Sequence, residues 1–364
     1  MKKYTRVCAK IDLDAIEYNM EMMKNNLKEG TRIISVLKTD GYGHGAVQIA
    51  RLLQEKDYIW GYATATLDEA VILRKKGIEK PILVLGTVFP DQRAAMIEHE
   101  VRMTLYTEEM AAEVSDLATR MGKDVHIHIK LDTGMSRLGF PICEESADAI
   151  ERISKMPHLQ MEGMFTHFAK ADEEDKSFTE KQLNAYLWMK QRLEEKGVQF
   201  SYYHCSNSAG IIDVPEANMD LVRAGISIYG LYPSGEVNKA NVPLKPALQW
   251  VSHVAHVKWV EAGTPVSYGG TYVTDRRTKL ATIPVGYGDG YPRSLSNKGY
   301  VLIKGQKAPI RGRVCMDQMM VDVTEIDDVA YEDQVILVGR DGEEELPVEV
   351  LSDLSGRFNY EFVC

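Results

Sequence analysis

Lys38 follows the apolar run Ile33-Ile34-Ser35-Val36-Leu37 and opens the turn Thr39-Asp40-Gly41-Tyr42-Gly43-His44-Gly45. A β-branched run reads as a buried strand. Three glycines two apart let the backbone turn sharply and approach a ligand closely. A lysine at the mouth of such a strand stands at the edge of a pocket. Desolvation there lowers its pKa and makes it a nucleophile toward a carbonyl. Its ordinary reading is a solvated strand-end lysine. Dinucleotide binding is a rival reading of the turn, and it fits poorly. The spacing is G-x-G-x-G, not G-x-G-x-x-G, and the next run, Ile59-Trp60-Gly61-Tyr62-Ala63, ends without an acidic residue for a ribose.

Other polar residues also follow apolar runs. They are Arg137 in Leu131-Asp132-Thr133-Gly134-Met135-Ser136-Arg137, His167 in Met164-Phe165-Thr166-His167, the group His204, Asn207 and Ser208, and Arg223 in Leu221-Val222-Arg223-Ala224-Gly225. Each has a plain alternative: a hydrogen-bonded core histidine, a loop charge, an Arg223–Asp220 pair, a helix cap at Ser206-Asn207-Ser208.

The elements that must position them alternate. Strand candidates run 32–37, 59–63, 82–85, 101–105, 125–131, 160–165, 201–204 and 220–223. Helical stretches lie near 45–56, 66–76, 90–98, 107–121, 144–155, 177–197 and 206–212, and Asp14 can cap a helix through Lys28. This is the pattern of an α/β protein with an N-terminal (β/α)8 barrel, an open doubly wound sheet being the alternative. After residue 240 the pattern changes to β-rich runs at 249–257, 279–285, 300–304, 319–323 and 334–338, and this half reads as all-β. The expected division is an N-terminal strand at 1–13 associated with the β-rich part, the barrel at 14–238, and a mostly-β domain at 239–364.

The 364 residues carry a formal charge of −10 and no basic stripe with interleaved aromatics, which argues against a nucleic-acid partner. The basic start Met1-Lys2-Lys3-Tyr4-Thr5-Arg6 leads into no long apolar stretch, so no signal peptide or membrane span is expected. Five scattered cysteines without a C-x-x-C pair suit reduced thiols in a cytoplasm. His126 and His128 alternate on a strand with no carboxylate cluster nearby, and nothing calls for a metal.

In such a barrel chemistry sits at the carboxyl ends of the strands, and the loops after strands seven and eight often bind phosphate. Asn207-Ser208 at a helix start and the bare backbone of Gly225-Ile226 offer donors there. A reactive lysine and a phosphate cradle on one rim point to pyridoxal 5'-phosphate. Arg223 is the residue suited to the pyridine nitrogen. An arginine cannot hand over a proton, so the ring remains a weak electron sink, which fits movement of an α-proton alone.

With these anchors the chain resembles the bacterial alanine racemases, fold-type III pyridoxal-phosphate enzymes. Further matching stretches are Val266-Ser267-Tyr268-Gly269, Gly286-Tyr287-Gly288-Asp289-Gly290 and Gly312-Arg313-Val314-Cys315-Met316-Asp317. The resemblance implies that Lys38 carries the cofactor, that Tyr42 and Ser208 touch its phosphate, and that Arg223 meets its ring nitrogen. It also implies that Tyr360 lines the phosphate channel and that Tyr268 and Met316 reach the site from a second subunit of a homodimer. Tyr268 would be one base and Lys38 the other. His167 and Arg223 would polarise the phenol, and Arg137 with the Met316 backbone N–H would bind the substrate carboxylate. His204 and Asp317 would support, and Lys130, seven residues before Arg137, would carry a carbamate in place of its ordinary pairing with Asp132.

The implied reaction is L-alanine to D-alanine for peptidoglycan precursor synthesis. Serine racemisation and a non-catalytic cofactor carrier remain alternatives, and Arg223 disfavours a lyase or decarboxylase. One departure is visible: family chains usually continue past Asn359-Tyr360-Glu361 into a strand with an R-x-P-R element, and this sequence stops at Cys364.

Overall fold

Strand β1 (Val7–Ile11) precedes a helix, Leu13–Asn25, and then eight strands follow: β2 (Arg32–Val36), β3 (Ile59–Thr64), β4 (Ile82–Val84), β5 (Arg102–Leu105), β6 (Val125–Lys130), β7 (Leu159–Phe165), β8 (Tyr202–His204) and β9 (Leu221–Ala224). This computed structural model describes residues 6–364, so the basic residues 1–5 lie outside it. Contacts divide the chain into two units. One is Leu13–Lys245; the other joins the segment ending at Asp12 to Pro246–Cys364.

In the first unit all eight strands pair in parallel, in the order β8-β7-β6-β5-β4-β3-β2-β9. The sequence explains the choice. Every residue of β3, Ile59 to Thr64, is buried, as a strand covered on both faces requires. The crossovers are helical, and some carry a clear start signal. Thr66 and Glu69 form a capping box, and Thr107 accepts from the Met110 N–H. The barrel is nearly closed. Between β8 and β9 the seam carries a bond from Arg223 N–H to the Ser206 carbonyl at 3.0 Å. The expected barrel is therefore the observed one, with ends shifted by a residue or two.

The helix expected to start at Asp14 begins at Leu13, leaving Asp14 in its first turn.

The second unit is mostly β. β10 (Leu248–His253), β11 (His256–Val260), β12 (Pro265–Val266), β13 (Tyr272–Val273), β14 (Thr278–Ile283), β15 (Tyr300–Ile303), β16 (Gln306–Pro309), β17 (Met319–Asp322), β18 (Gln334–Asp341) and β19 (Glu344–Leu346) follow in order. β1 pairs with β10, so the N-terminal strand belongs to this sheet. The run 249–257, read as one strand, is two. β10 pairs with β1 and β18, while β11 pairs with β14 in a different sheet. Val254 and Ala255 make the switch, bonding to Asp333 and Thr282 carbonyls respectively.

Nor is this half all-β. Helices Val348–Ser355 and Asn359–Val363 end the chain, the first burying Val348, Leu351 and Ser352 along one stripe and stopping at Gly356 in the left-handed region.

Candidate active site

The turn after β2 is tighter than its glycines require. Thr39, Asp40, Gly41, Tyr42 and Gly43 all have positive φ, between +49° and +75°, giving one turn of left-handed helix. Three of these residues carry a side chain, and each costs roughly 1–2 kcal/mol in that region. The surroundings hold them there. Leu37, Thr39 and Asp40 carbonyls accept from Gly41, Gly43 and Gly45 at 2.8, 3.0 and 2.8 Å. Glu69 accepts the Thr39 N–H at 2.6 Å, and the Asp40 carboxylate accepts the Ala46 N–H at 2.9 Å. Backbone strain so thoroughly supported marks a functional position. It brings the Tyr42 ring back beneath Lys38, whose Nζ is 5.7 Å from the ring centroid.

Tyr42 leads to a small cradle. Its ring packs on Tyr229 at 5.0 Å, and Tyr229 is itself fixed by donating to the Val36 carbonyl. Ser208 Oγ accepts from the Gly225 N–H at 2.9 Å. A methyl group on Gly225 would stand 3.1 Å from Tyr42 Oη and 3.7 Å from Ser208 Oγ, so only glycine leaves this corner open. Ile226 follows at once and begins a short 3-10 turn. Two hydroxyls and the Ile226 backbone around an open corner are groups fit for a phosphate, with the Gly225 N–H already directed at Ser208. Asn207 acts as the helix cap here, accepting from Gly210 at 3.0 Å.

Arg223 is 3% exposed and held on nearly every side. Nη1 donates to His204 Nδ1 at 2.8 Å and to the His204 carbonyl at 3.2 Å. Nη2 donates to the Thr166 and Cys205 carbonyls at 2.7 and 2.8 Å, and lies 3.3 Å from His167 Nδ1. Among the described residues the Nε–H has no acceptor, which leaves it for a bound group. The suggested Asp220 pair does not form, because Asp220 accepts from the Tyr203 N–H across the barrel seam. Burial pushes Arg223 down to about 10, still charged at neutral pH.

The rim is cationic. Burial first, then the charges of Arg223, Arg137, Lys130 and Lys38, hold His167 well below the usual histidine range, so its ring is neutral. Lys130 is 4% exposed and has no carboxylate within ion-pair distance among the described residues. Asp132, its suggested partner, instead accepts the Gly134 and Ser136 N–H groups, both at 3.0 Å, and shapes the loop that presents the exposed Arg137. Burial, with Arg137 and Arg223 nearby, pushes the Lys130 amine down to about 8.

The sequence reading missed one carboxylate. Glu162 lies 3.1 Å from His128 Nε2 and 3.4 Å from His126 Nδ1, a single carboxylate beside these histidines. It comes from the neighbouring strand, where a register shift between Ile127 and His128 makes it the extra residue. Its only sequence signal was the Glu162-Gly163 pair inside an apolar run.

In the β-rich unit three loops are laced together. Cys315 and Met316 carbonyls accept the Tyr287 and Gly288 N–H groups at 3.0 and 2.7 Å. Ser267, at φ +64°, donates to the Arg313 carbonyl at 2.7 Å. The lacing props Tyr268 and Met316 outward, 72% and 62% exposed, beside Tyr287. Asp289 is clamped by Arg6, whose charge Asp317 also supports. Tyr360 stacks on Phe358 at 4.7 Å.

Comparison with known proteins gives a consistent answer. The family model described as alanine racemase, N-terminal domain, matches residues 11–233, and that of the C-terminal domain matches 247–364. The chain is 45% identical to the alanine racemase of Clostridium tetani, covering 100% of this chain and 94% of that one. A solved alanine racemase from Clostridium difficile superposes with a TM-score of 0.95 at 40% identity, covering 100% of this chain and 94% of that one. The Bacillus anthracis alanine racemase, solved with bound L-Ala-P, gives 0.92 at 35% identity, covering 100% and 93%.

Proposed function

Because the chain belongs to the alanine racemase family, and is thereby an isomerase, we propose that it interconverts L- and D-alanine by a two-base mechanism on pyridoxal 5'-phosphate. The observation that carries the cofactor is the open corner of Tyr42, Ser208 and Gly225 on the same rim as Lys38 and the spare Arg223 Nε–H. The residues fit the group. Tyr42, Ser208, Gly225 and Ile226 would hold its phosphate, Lys38 its aldehyde carbon and Arg223 its ring nitrogen, while Asn207 fixes the turn and Tyr360 serves the phosphate channel. When bound, the cofactor supplies electron withdrawal that acidifies the substrate Cα–H.

The chain's own residues do the rest. Arg137, with no competing acceptor among the described residues, binds the substrate carboxylate with help from the Met316 backbone N–H of a second subunit. The Lys38 amine takes or returns the proton on one face of Cα. Tyr268, contributed by the partner of a homodimer, serves the other face. A phenol titrates near pH ~10, so it needs assistance near neutrality. His167 supports that role, because its Nδ1 accepts from Arg223 and leaves the opposite nitrogen as a donor.

Lys130, placed among cations with its amine pushed down to about 8, is suited to carbamate formation. The neutral amine adds to carbon dioxide and releases a proton, turning a repelling cation into an anion that orients Arg137. The D-alanine formed serves peptidoglycan precursors, in a cytoplasmic setting that suits unlinked thiols at Cys8, Cys143, Cys205 and Cys315.

Chiral analysis of alanine and of serine incubated with the purified enzyme tests the reading. Alanine should racemise with the higher kcat/KM. No racemisation of either would leave the cofactor-carrier alternative.

A further inference from the structure

Beneath the rim a line of polar groups crosses the barrel interior. His204 Nδ1 is 2.8 Å from Arg223 Nη1, and His204 Nε2 is 2.9 Å from His128 Nδ1. His128 Nε2 is 3.1 Å from Glu162 Oε2, which also faces Arg102 Nε at 3.3 Å. Both imidazoles are fully buried and clamped by rings. Phe165 stacks on His204 at 4.8 Å and 3°, and Trp60 meets His128 edge-on at 5.6 Å.

The backbone is shaped for this line. Parallel pairing of β6 and β7 shifts register, so Glu162 is an unpaired extra residue between Met161 and Gly163. A bulge of this kind re-aims a side chain, here toward the barrel interior. Gly163 then makes room. A methyl there would lie 2.3 Å from His128 Nδ1 and 2.5 Å from Cε1, closer than any atom can approach.

Donor and acceptor roles follow from the two ends. A guanidinium only donates, so His204 Nδ1 must accept and Nε2 must carry the proton. His128 Nδ1 must then accept and its Nε2 must donate. The carboxylate at the far end only accepts, which agrees with that assignment at every step. Burial favours neutral rings at both histidines. Burial would also raise Glu162, but the His128 bond and Arg102 reverse this and keep it ionised. Arg223 has no carboxylate of its own within ion-pair distance among the described residues.

We propose that Glu162, itself paired with Arg102, is a positioning residue for the reaction, helping to fix through His128 and His204 the donor direction that leaves Arg223 Nε–H for the ring nitrogen. The catalytic consequence rests on the function proposed above. With a far-end group that can also donate, only Arg223 itself still opposes the reversed tautomers of both imidazoles. His204 Nδ1–H would then confront an Arg223 N–H, and the guanidinium would have to turn.

Neutron diffraction from crystals of the deuterated holoenzyme tests the direction. Deuterons are expected on Nε2 of His128 and of His204, and none on either Nδ1. A deuteron on either Nδ1 overturns the proposal. Two variants test the consequence by separate routes: Glu162→Gln removes the acceptor-only end, and Gly163→Ala displaces His128 without touching the carboxylate. Each should lower kcat about tenfold with little change in KM and alter the cofactor's absorption band, while Glu162→Asp restores part of both. Unchanged kcat and spectrum in a folded, cofactor-loaded Glu162→Gln enzyme also overturns it. The functional reading fails separately, by absence of racemisation in the parent enzyme, and the deuteron positions do not depend on it.

Discussion

Lys130 Nζ and Arg223 Cζ stand the same 5.3 Å from the centroid of Phe165, so two buried cations share one aromatic ring. The ring offers each some attraction, and neither has a carboxylate at hand. Of the two only the lysine can shed its charge, by losing a proton or by gaining a carbamate.

Enzyme equilibrated with 13C-bicarbonate near neutral pH should therefore show a carbamate carbon signal that Lys130→Met lacks. Crystals grown the same way should show a planar three-atom extension on the amine. A well-ordered bare amine would defeat the assignment.

In enzyme kept free of bicarbonate the same lysine gives a pH signature. Its folded pKa is pushed down to about 8, below the unfolded value of roughly 10.4. The unfolded chain binds the extra proton, so the charged lysine destabilises most below pH 8, and stability rises with pH through that window. The stability advantage of Lys130→Met over the parent, measured by urea unfolding at each pH, should shrink as pH rises from 8 toward 10. A constant difference would show that the amine is not desolvated.

Gly225→Ala places a methyl 3.1 Å from Tyr42 Oη, in the corner assigned to phosphate. Cofactor affinity, measured by absorbance titration of apoenzyme, should fall about tenfold or more, while thermal stability of the apoenzyme changes little. Unaltered affinity would move the phosphate elsewhere.

The exposed Tyr268 and Met316 belong to one unit and Lys38 to the other, and the homodimer reading has them meet across subunits. Mixing inactive Lys38→Ala and Tyr268→Phe chains should regenerate up to about a quarter of the parent activity, since one site in each mixed dimer is intact. Demonstrated subunit exchange without recovery would rule out shared sites.

The barrel strands were legible because each is a short apolar run, such as Ile82–Val84, set between helical stretches. Three features were not. The glycines at 41, 43 and 45 announced a tight turn, but nothing local announced that Thr39, Asp40 and Tyr42 would join them at positive φ. That conformation is imposed from outside, in part by Glu69 on the helix after β3. The bulge that turns Glu162 inward exists only as a pairing between two strands. The corner at Val254-Ala255 lies inside an unbroken alternating pattern, and only its two partner sheets reveal it. The rim cations could be read from strand ends, whereas the interior line to Glu162 required knowing which strands are neighbours.

Tyr268→Phe should slow proton abstraction from one enantiomer of alanine by about 10²–10³-fold and from the other far less, because its hydroxyl serves one face only. Single-turnover deuterium exchange into each enantiomer measures this, with L-alanine expected to be the affected one. Equal losses on both faces would make Tyr268 a positioning residue.

Borohydride reduction of the cofactor-loaded enzyme, followed by peptide mapping, tests the account most directly. The pyridoxyl label is predicted on Lys38, at the head of the left-handed turn. A label on any other lysine, Lys130 included, would contradict the assignment of the site.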